Sequence, residues 1–191
     1  MIKKFKKIVI KIGSSSIVDE KNKKIKTKWL NNICNDIKSI HPSKKIIIVC
    51  SGAIALGSKL ISEKPVRRLE DKQAAAAIGQ IELAKNWDLV LKKKKINAAQ
   101  ILLTLEDSEI RRRYLNVRKT INALHKKNII PIINENDTIA TEEIRFGDND
   151  RLAARVAQMI DADLLILLTD VDGLYSEKPN KKNKAKKIKE I

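Results

Sequence analysis

The sequence has only two cysteines, Cys34 and Cys50, and they do not form a CxxC pair. Neither a disulfide framework nor a cysteine zinc site is indicated, and a reducing cytoplasm suits such a chain. The two histidines, His41 and His125, stand alone, with no HxH or HxxxH spacing; isolated histidines of this kind are expected at the surface. Aromatic residues make up 3%, too few for a base-stacking platform on single-stranded nucleic acid. No apolar run approaches the ~18 residues of a membrane span. The N-terminus, MIKKFKKIVIKIGSSS, turns from basic to apolar without a small-residue cleavage site, so it reads as a first strand rather than a signal peptide. The Walker A pattern, GxxxxGK followed by Ser or Thr, does not occur, and a P-loop NTPase is not supported.

Positive charge is abundant. Forty Lys and Arg face 23 Asp and Glu, a net charge of +17. The excess is mostly lysine, concentrated at Lys92 to Lys95 and from Lys181 to Lys187. Ile and Asn are also frequent, so a general drift of composition explains the lysines without a nucleic-acid partner. The 191 residues are 43% hydrophobic and 33% charged, which suits one soluble globular domain with a substantial core.

The chain alternates strand and helix signals. KKIVIKI at 6–12 is a β-branched run that ends in the small-residue loop Gly13 to Ser16. TKWLNNICNDIKSI at 27–40 has apolar residues at helical spacing, with Thr27 as candidate N-cap. KKIIIVC at 44–50 is a buried strand, and Ser51-Gly52 leads directly into a helix. A long, Ala-rich helix is expected from about Leu69 to Leu91, with its Ala stripe in the core. AAQILLT at 98–104 is a third strand, and a helix follows through Tyr114, Val117, Ile121 and Leu124. IIPII at 129–133 is a fourth strand, where Pro131 argues for an edge or for a position needing no N–H donor. TIATEEIRF at 138–146 partly alternates and suggests a hairpin; Leu152, Val156 and either Met159 or Ile160 form a helix face. LLILLT at 164–169 is a fifth strand, and the tail past Tyr175 has no core pattern.

This order implies a three-layer α/β/α sandwich with a mostly parallel sheet. Right-handed crossovers would place the C-terminal strand ends on one edge. Gly13-Ser14, Ser51-Gly52, Thr104, Asn134 to Asp137 and Thr169-Asp170 lie at those ends. Ligands of open α/β sheets bind there.

The most informative stretch is NENDTIATEEIRFGDND at 134–150. Asn134 to Asp137 follow a buried strand, and Asp148, Asn149 and Asp150 open a helix. Short polar side chains in such places need partners. Either cluster alone suits a turn or an N-cap; both together, at matching ends of their elements, favour a site.

Several blocks resemble the glutamate 5-kinases of the amino acid kinase family. They are KIGSSSI at 11–17, SGAIALG at 51–57, RRRYLNVRKTI at 111–121, PIINENDTIATEEIRFGDND at 131–150 and LLILLTDVDGLY at 164–175. The pairing of NEND with GDND is specific to that branch. The resemblance implies an amino acid kinase domain over 1–191, comprising the amino-acid-binding part and the start of the nucleotide-binding part. It implies phosphorylation of the γ-carboxylate of L-glutamate by ATP with Mg²⁺, proline as feedback inhibitor, and a homo-oligomer at full length. No nucleic-acid or membrane partner is expected. Lys11 would hold the transferring phosphoryl group beside Gly13 and Ser14. Ser51, Asn134, Asp137 and Asn149 would bind glutamate. Asp150 would orient the catalytic lysine, and Thr169 and Asp170 would face the nucleotide. No residue set for a protein-bound metal is implied.

The resemblance also implies that the family domain continues beyond residue 191, with a second lysine and much of the adenine pocket, and that many members add an RNA-binding-like module. The chain therefore reads as truncated, and little activity is expected of it alone. The alternative is a non-catalytic glutamate- or proline-binding module. Net charge alone motivates a third reading, a nucleic-acid binder.

Overall fold

The computed structural model describes residues 4–19, 21–62, 65–140, 149–171, 173–176 and 185–188. Strand β1 (Lys7–Ile12) leads through the four-residue α1 (Ser14–Ile17) into a short antiparallel ribbon of β2 (Val18–Asp19) and β3 (Lys24–Ile25). Helix α2 (Thr27–Ile40) returns the chain to β4 (Lys45–Cys50). Next come α3 (Ala53–Ile61), α4 (Leu69–Lys93), β5 (Ala98–Leu103), α5 (Leu105–Glu109), α6 (Arg111–Lys126) and β6 (Ile130–Glu135). Helix α7 (Asn149–Met159) precedes β7 (Leu164–Leu168), and β8 (Leu174–Tyr175) pairs with β9 (Lys187–Ile188) in the tail.

Five strands form one sheet in the order β5-β6-β4-β1-β7, and every pairing is parallel. Side chains alternate between faces along each strand. Ile8, Ile10 and Ile12 of β1 and Ile46, Ile48 and Cys50 of β4 pack with Leu30, Cys34 and Ile37 of α2 and Leu83, Trp87 and Leu91 of α4. On the opposite face, Val9, Ile47, Val49 and Ile133 pack with Ile121 of α6 and Leu152, Ala153 and Val156 of α7. Helices on both faces explain why β1 and β4 are almost continuously apolar. The layer order is that expected from the sequence.

Two local readings change and one short helix is added. Thr27 does not cap α2; Lys26 occupies the N-cap, and the Thr27 hydroxyl donates to the Ile25 carbonyl at 3.4 Å. The helix read through Tyr114 to Leu124 is α6, and a short α5 absent from the sequence reading precedes it, because Thr104 starts a helix of its own. Its hydroxyl accepts from Asp107 N, and the Asp107 carboxylate accepts from Thr104 N at 2.8 Å, a capping box. Pro131 does not mark an edge, since β6 lies between β5 and β4.

The second explanation for Pro131 holds, and it relocates a histidine. Ile130 N donates to Asn97 O on the β5 side, so the next residue turns toward β4. The register Ile48↔Ile132 places the Ile46 carbonyl opposite the N–H that proline lacks. His125 Nε2 lies 3.1 Å from that carbonyl. His125 is buried rather than at the surface. Burial lowers its pKa, and the neutral ring donates from Nε2 in place of the missing amide. His41 is half-buried.

The strand ends are tied together where the site lies. Gly13 N donates to Leu168 O at 3.0 Å and Ser51 N to Ile12 O at 3.1 Å. Asn136 N reaches Leu103 O at 2.7 Å. Asp137 to Ile139 form a turn, and the N–H groups of Ile139 and Ala140 donate to the Asn136 carbonyl. The rest of the expected hairpin, 141–146, lies outside the described residues, as do Gly147, Asp148 and Asp172.

Candidate functional site

Lys11 shares its face of β1 with Val9, so its side chain runs toward α7. There Nζ meets Asp150 Oδ1 at 2.7 Å, with the lysine side chain 9% exposed and the aspartate 50%. The ammonium also lies 3.7 Å from the point a Cβ on Gly13 would occupy, which places it directly beneath the Gly13 loop. The Gly13 N–H is held by Leu168 O. Ser14 and Ser15 open α1, where N–H groups have no acceptor within their own helix.

The end of β4 supplies Ser51 and Gly52. Gly52 has φ 117, and a Cβ there would approach Val18 Cγ2 to 2.9 Å. Only glycine suits both the backbone and the contact. This turn starts α3 beside the cavity.

Asn134 and Glu135 are the last residues of β6 rather than a loop after it, and both are buried. Asn134 Nδ2 donates to Gln80 Oε1 of α4 at 2.6 Å. Asn149, the first residue of α7, places Nδ2 at 3.0 Å from Cys50 O, 2.8 Å from Ser51 Oγ and 3.1 Å from Asn134 Oδ1. The amides from 134 and 149 and the hydroxyl from 51 thus form one network from three elements. Asn149 Oδ1 is buried without a hydrogen-bond partner among the described residues.

Asp137 lies in the turn after β6. Burial raises its carboxyl from 3.8 to about 6. An acid in that position is poised to receive a cation or a donor. Thr169 Oγ1 donates to Asp170 Oδ1 at 3.1 Å past the end of β7, and both residues are exposed.

Lys11, Gly13, Ser14, Ser51, Asn134, Asp137, Asn149, Thr169 and Asp170 all line one cavity of about 920 Å³. Asp150 lines a neighbouring cavity of about 850 Å³ with Trp29, Leu167 and Val171, and Thr169 borders both. The Lys11–Asp150 pair stands between them. Thr104 is not brought into either cavity; its polar groups are engaged in the α5 cap.

The cavity also gathers residues that the sequence reading did not assign. Glu135 belonged to the NEND block but had no role. Ala55 and Ser58 of α3 and Ser62 at its C-cap also line the cavity, a row of small side chains at helical spacing. Lys21, Lys23 and Lys59 stand around its mouth. Among the described residues, no group of three or more His, Cys, Asp or Glu is placed to hold a metal.

Residues 6–191 match the amino acid kinase family. The chain belongs to that family. Among curated relatives, the glutamate 5-kinase of Pelagibacter ubique is 55% identical over 192 residues, covering 100% of this chain and 52% of the relative. The glutamate 5-kinase of Nitrobacter hamburgensis is 53% identical over 189 residues, covering 98% of this chain and 50% of the relative. The chain therefore spans about half the length of the curated relatives it matches. Among solved structures, UMP kinase from Bacillus anthracis superposes with a TM-score of 0.66 at 18% identity, covering 96% of this chain and 72% of that one. That likeness shows the amino acid kinase fold, a parallel sheet flanked by helices. No described helix is long and apolar enough to cross a membrane.

Proposed function

We propose that the chain carries the amino-acid site and the phosphoryl-facing lysine of a glutamate 5-kinase. The reaction transfers the γ-phosphoryl group of ATP to the γ-carboxylate of L-glutamate. It forms γ-glutamyl phosphate, the first step of proline synthesis, in the cytoplasm. The observation that carries this reading is the single cavity that joins the Ser51–Asn134–Asn149 network and Asp137 to Lys11. The two glutamate 5-kinase relatives supply the substrate.

The residue types suit the reaction. A γ-carboxylate has a reference pKa of ~4.3 and is already ionised, so no general base is required. Transfer then depends on alignment and on cations placed against spreading negative charge. Lys11 would meet the transferring phosphoryl group, and Asp150 at 2.7 Å would hold the ammonium in position. With the Gly13 N–H bonded to Leu168, the N–H groups of Ser14 and Ser15 would face the phosphates. Asp137 would pair with the α-ammonium of glutamate, while Ser51, Asn134 and Asn149 would fix the rest of the amino acid. Thr169 and Asp170 would face the nucleotide. Mg²⁺ would enter with ATP and would supply charge neutralisation at the phosphates. A donor set without a three-carboxylate group among the described residues fits a cation carried mainly by its nucleotide. Proline as a feedback inhibitor and assembly into a homo-oligomer belong to the same proposal.

The test places this chain in a protein of the relatives' full length, in place of the matching residues of the Pelagibacter ubique relative. Hydroxylamine traps an acyl phosphate as the hydroxamate, and ADP release measures turnover. Glutamate-dependent hydroxamate is expected. Asp150→Ala should lower turnover by roughly 100-fold or more and leave the glutamate KM near its original value. Glutamate-independent ADP release, or unchanged turnover in the variant, contradicts the assignment.

A further inference from the structure

Helix α4 contributes one residue to the network without bringing it into the cavity. Gln80 is half-buried, and its Oε1 accepts from Asn134 Nδ2 at 2.6 Å. Gln80 does not line the main cavity; it borders a separate one of about 190 Å³ between α4 and β5.

The polarity of the network follows from its two ends. The Cys50 carbonyl can only accept, so the Asn149 amide must turn its NH₂ toward it. The second Asn149 proton then has Asn134 Oδ1 and Ser51 Oγ within reach. Asn134 presents an oxygen there only if its own NH₂ faces away, and Gln80 Oε1 is the acceptor on that side. Both NH₂ groups are thereby directed into the protein. Asn149 Oδ1 is left buried and unpartnered among the described residues, in a side chain that lines the cavity and is 7% exposed. A buried acceptor without a donor is costly unless a ligand supplies one.

We propose that Gln80 is a positioning residue. By accepting from Asn134 it fixes the acceptor polarity of the cavity floor, and so selects ligands that bear an amine. Without an acceptor at residue 80, Asn134 is free to rotate, and its NH₂ then opposes the NH₂ of Asn149. The floor presents mixed donors and acceptors, and the amine is no longer distinguished. A second glutamine seven residues earlier on α4, Gln73, donates to Ala140 O at 3.2 Å. The same helix therefore braces both ends of the segment from Asn134 to Ala140.

The inference rests on the amino-acid reading of the cavity, and its test separates the two. Gln80→Met keeps the length of the side chain and removes the acceptor; Gln80→Glu keeps an acceptor. In ¹⁵N spectra of the chain, the side-chain amide signals of Asn134 and Asn149 are assigned from Asn→Asp variants. Gln80→Met should shift both signals and speed exchange of the Asn134 amide protons. Gln80→Glu should preserve them. L-Glutamate and glutarate, which lacks the amine, are then titrated by calorimetry. Gln80→Met should weaken glutamate by about tenfold and leave glutarate unchanged; Gln80→Glu should retain the preference. A merely structural role would weaken both ligands together and would not be rescued by Glu. Unchanged amide signals in Gln80→Met, or equal loss in Met and Glu, overturns the proposal. If the wild type binds neither ligand, the amino-acid reading fails, and the amide signals alone decide the role of Gln80.

Discussion

At the scale of the residue, Asp137 shows how a buried carboxyl lining a cavity opposes stability. Its pKa rises from 3.8 to about 6 because burial disfavours the charged form. A carboxyl whose folded pKa is raised favours folding in its protonated state. That contribution is fully present below the unfolded value of 3.8 and is lost as pH rises through about 6. Asp137→Asn should therefore stabilise the ligand-free chain at neutral pH by about 1–2 kcal/mol, after allowance for partial exposure. Urea unfolding of both proteins at neutral pH and well below 3.8 measures this, and the gain should vanish at the lower pH. The same variant should weaken glutamate binding by roughly 1.5–3 kcal/mol, because it removes a charge-assisted contact. A variant that is less stable at neutral pH, or that binds glutamate as before, contradicts this role. Asp137, Asn134 and Asn149 were legible in the sequence because polar clusters at a strand end and a helix start are unusual. Gln80 was not. A lone glutamine beside an alanine stripe carries no periodic signal, and its partner is 54 residues away.

At the scale of the element, the crossing of α3 and α4 holds the Ser51 and Asn134 side of the cavity in place. Gly57 of α3 and Gly79 of α4 allow the two backbones to touch. A Cβ on Gly57 would overlap the Ala75 carbonyl, and one on Gly79 the Ala53 carbonyl. The obstacles are backbone atoms, which cannot rotate away. Gly79→Ala should therefore destabilise the chain by about 2–4 kcal/mol, despite the better helix propensity of alanine. Its effect should also reach the cavity, since Gly52 caps the start of α3 and Gln80 follows Gly79. Denaturant unfolding is the measurement, and an unchanged midpoint would refute the tight crossing. The Ala stripe told of a packed helix but not of its partner. Pro131 is a similar case. Its missing donor was legible, but the identity of the substitute, His125 on α6, depended on the sheet register. The Thr104–Asp107 cap was overlooked because a five-residue helix has too few turns to show a period.

At the scale of the whole molecule, strand order gathers four strand ends that are far apart in sequence. The alternating strand and helix signals made the layers and the parallel sheet legible. They did not fix which strand lies at the edge, because all five are apolar and short. The finished cavity has one buried cation among the described residues, Lys11; Lys21, Lys23 and Lys59 stand at its mouth. Loss of a single contact to developing charge commonly lowers a rate by ~100–1000-fold. The 191-residue chain alone should thus turn over far below the ~1–1000 per second of typical enzymes, while the proposed amino-acid binding should remain. Binding is the property that isolates the central claim. Calorimetric titration of L-glutamate into the purified, folded 191-residue chain should show one site, with glutarate binding measurably but more weakly. No heat with glutamate, or equal affinity for glutarate, would contradict a cavity in which Lys11 faces the γ-carboxylate and Asp137 faces the amine.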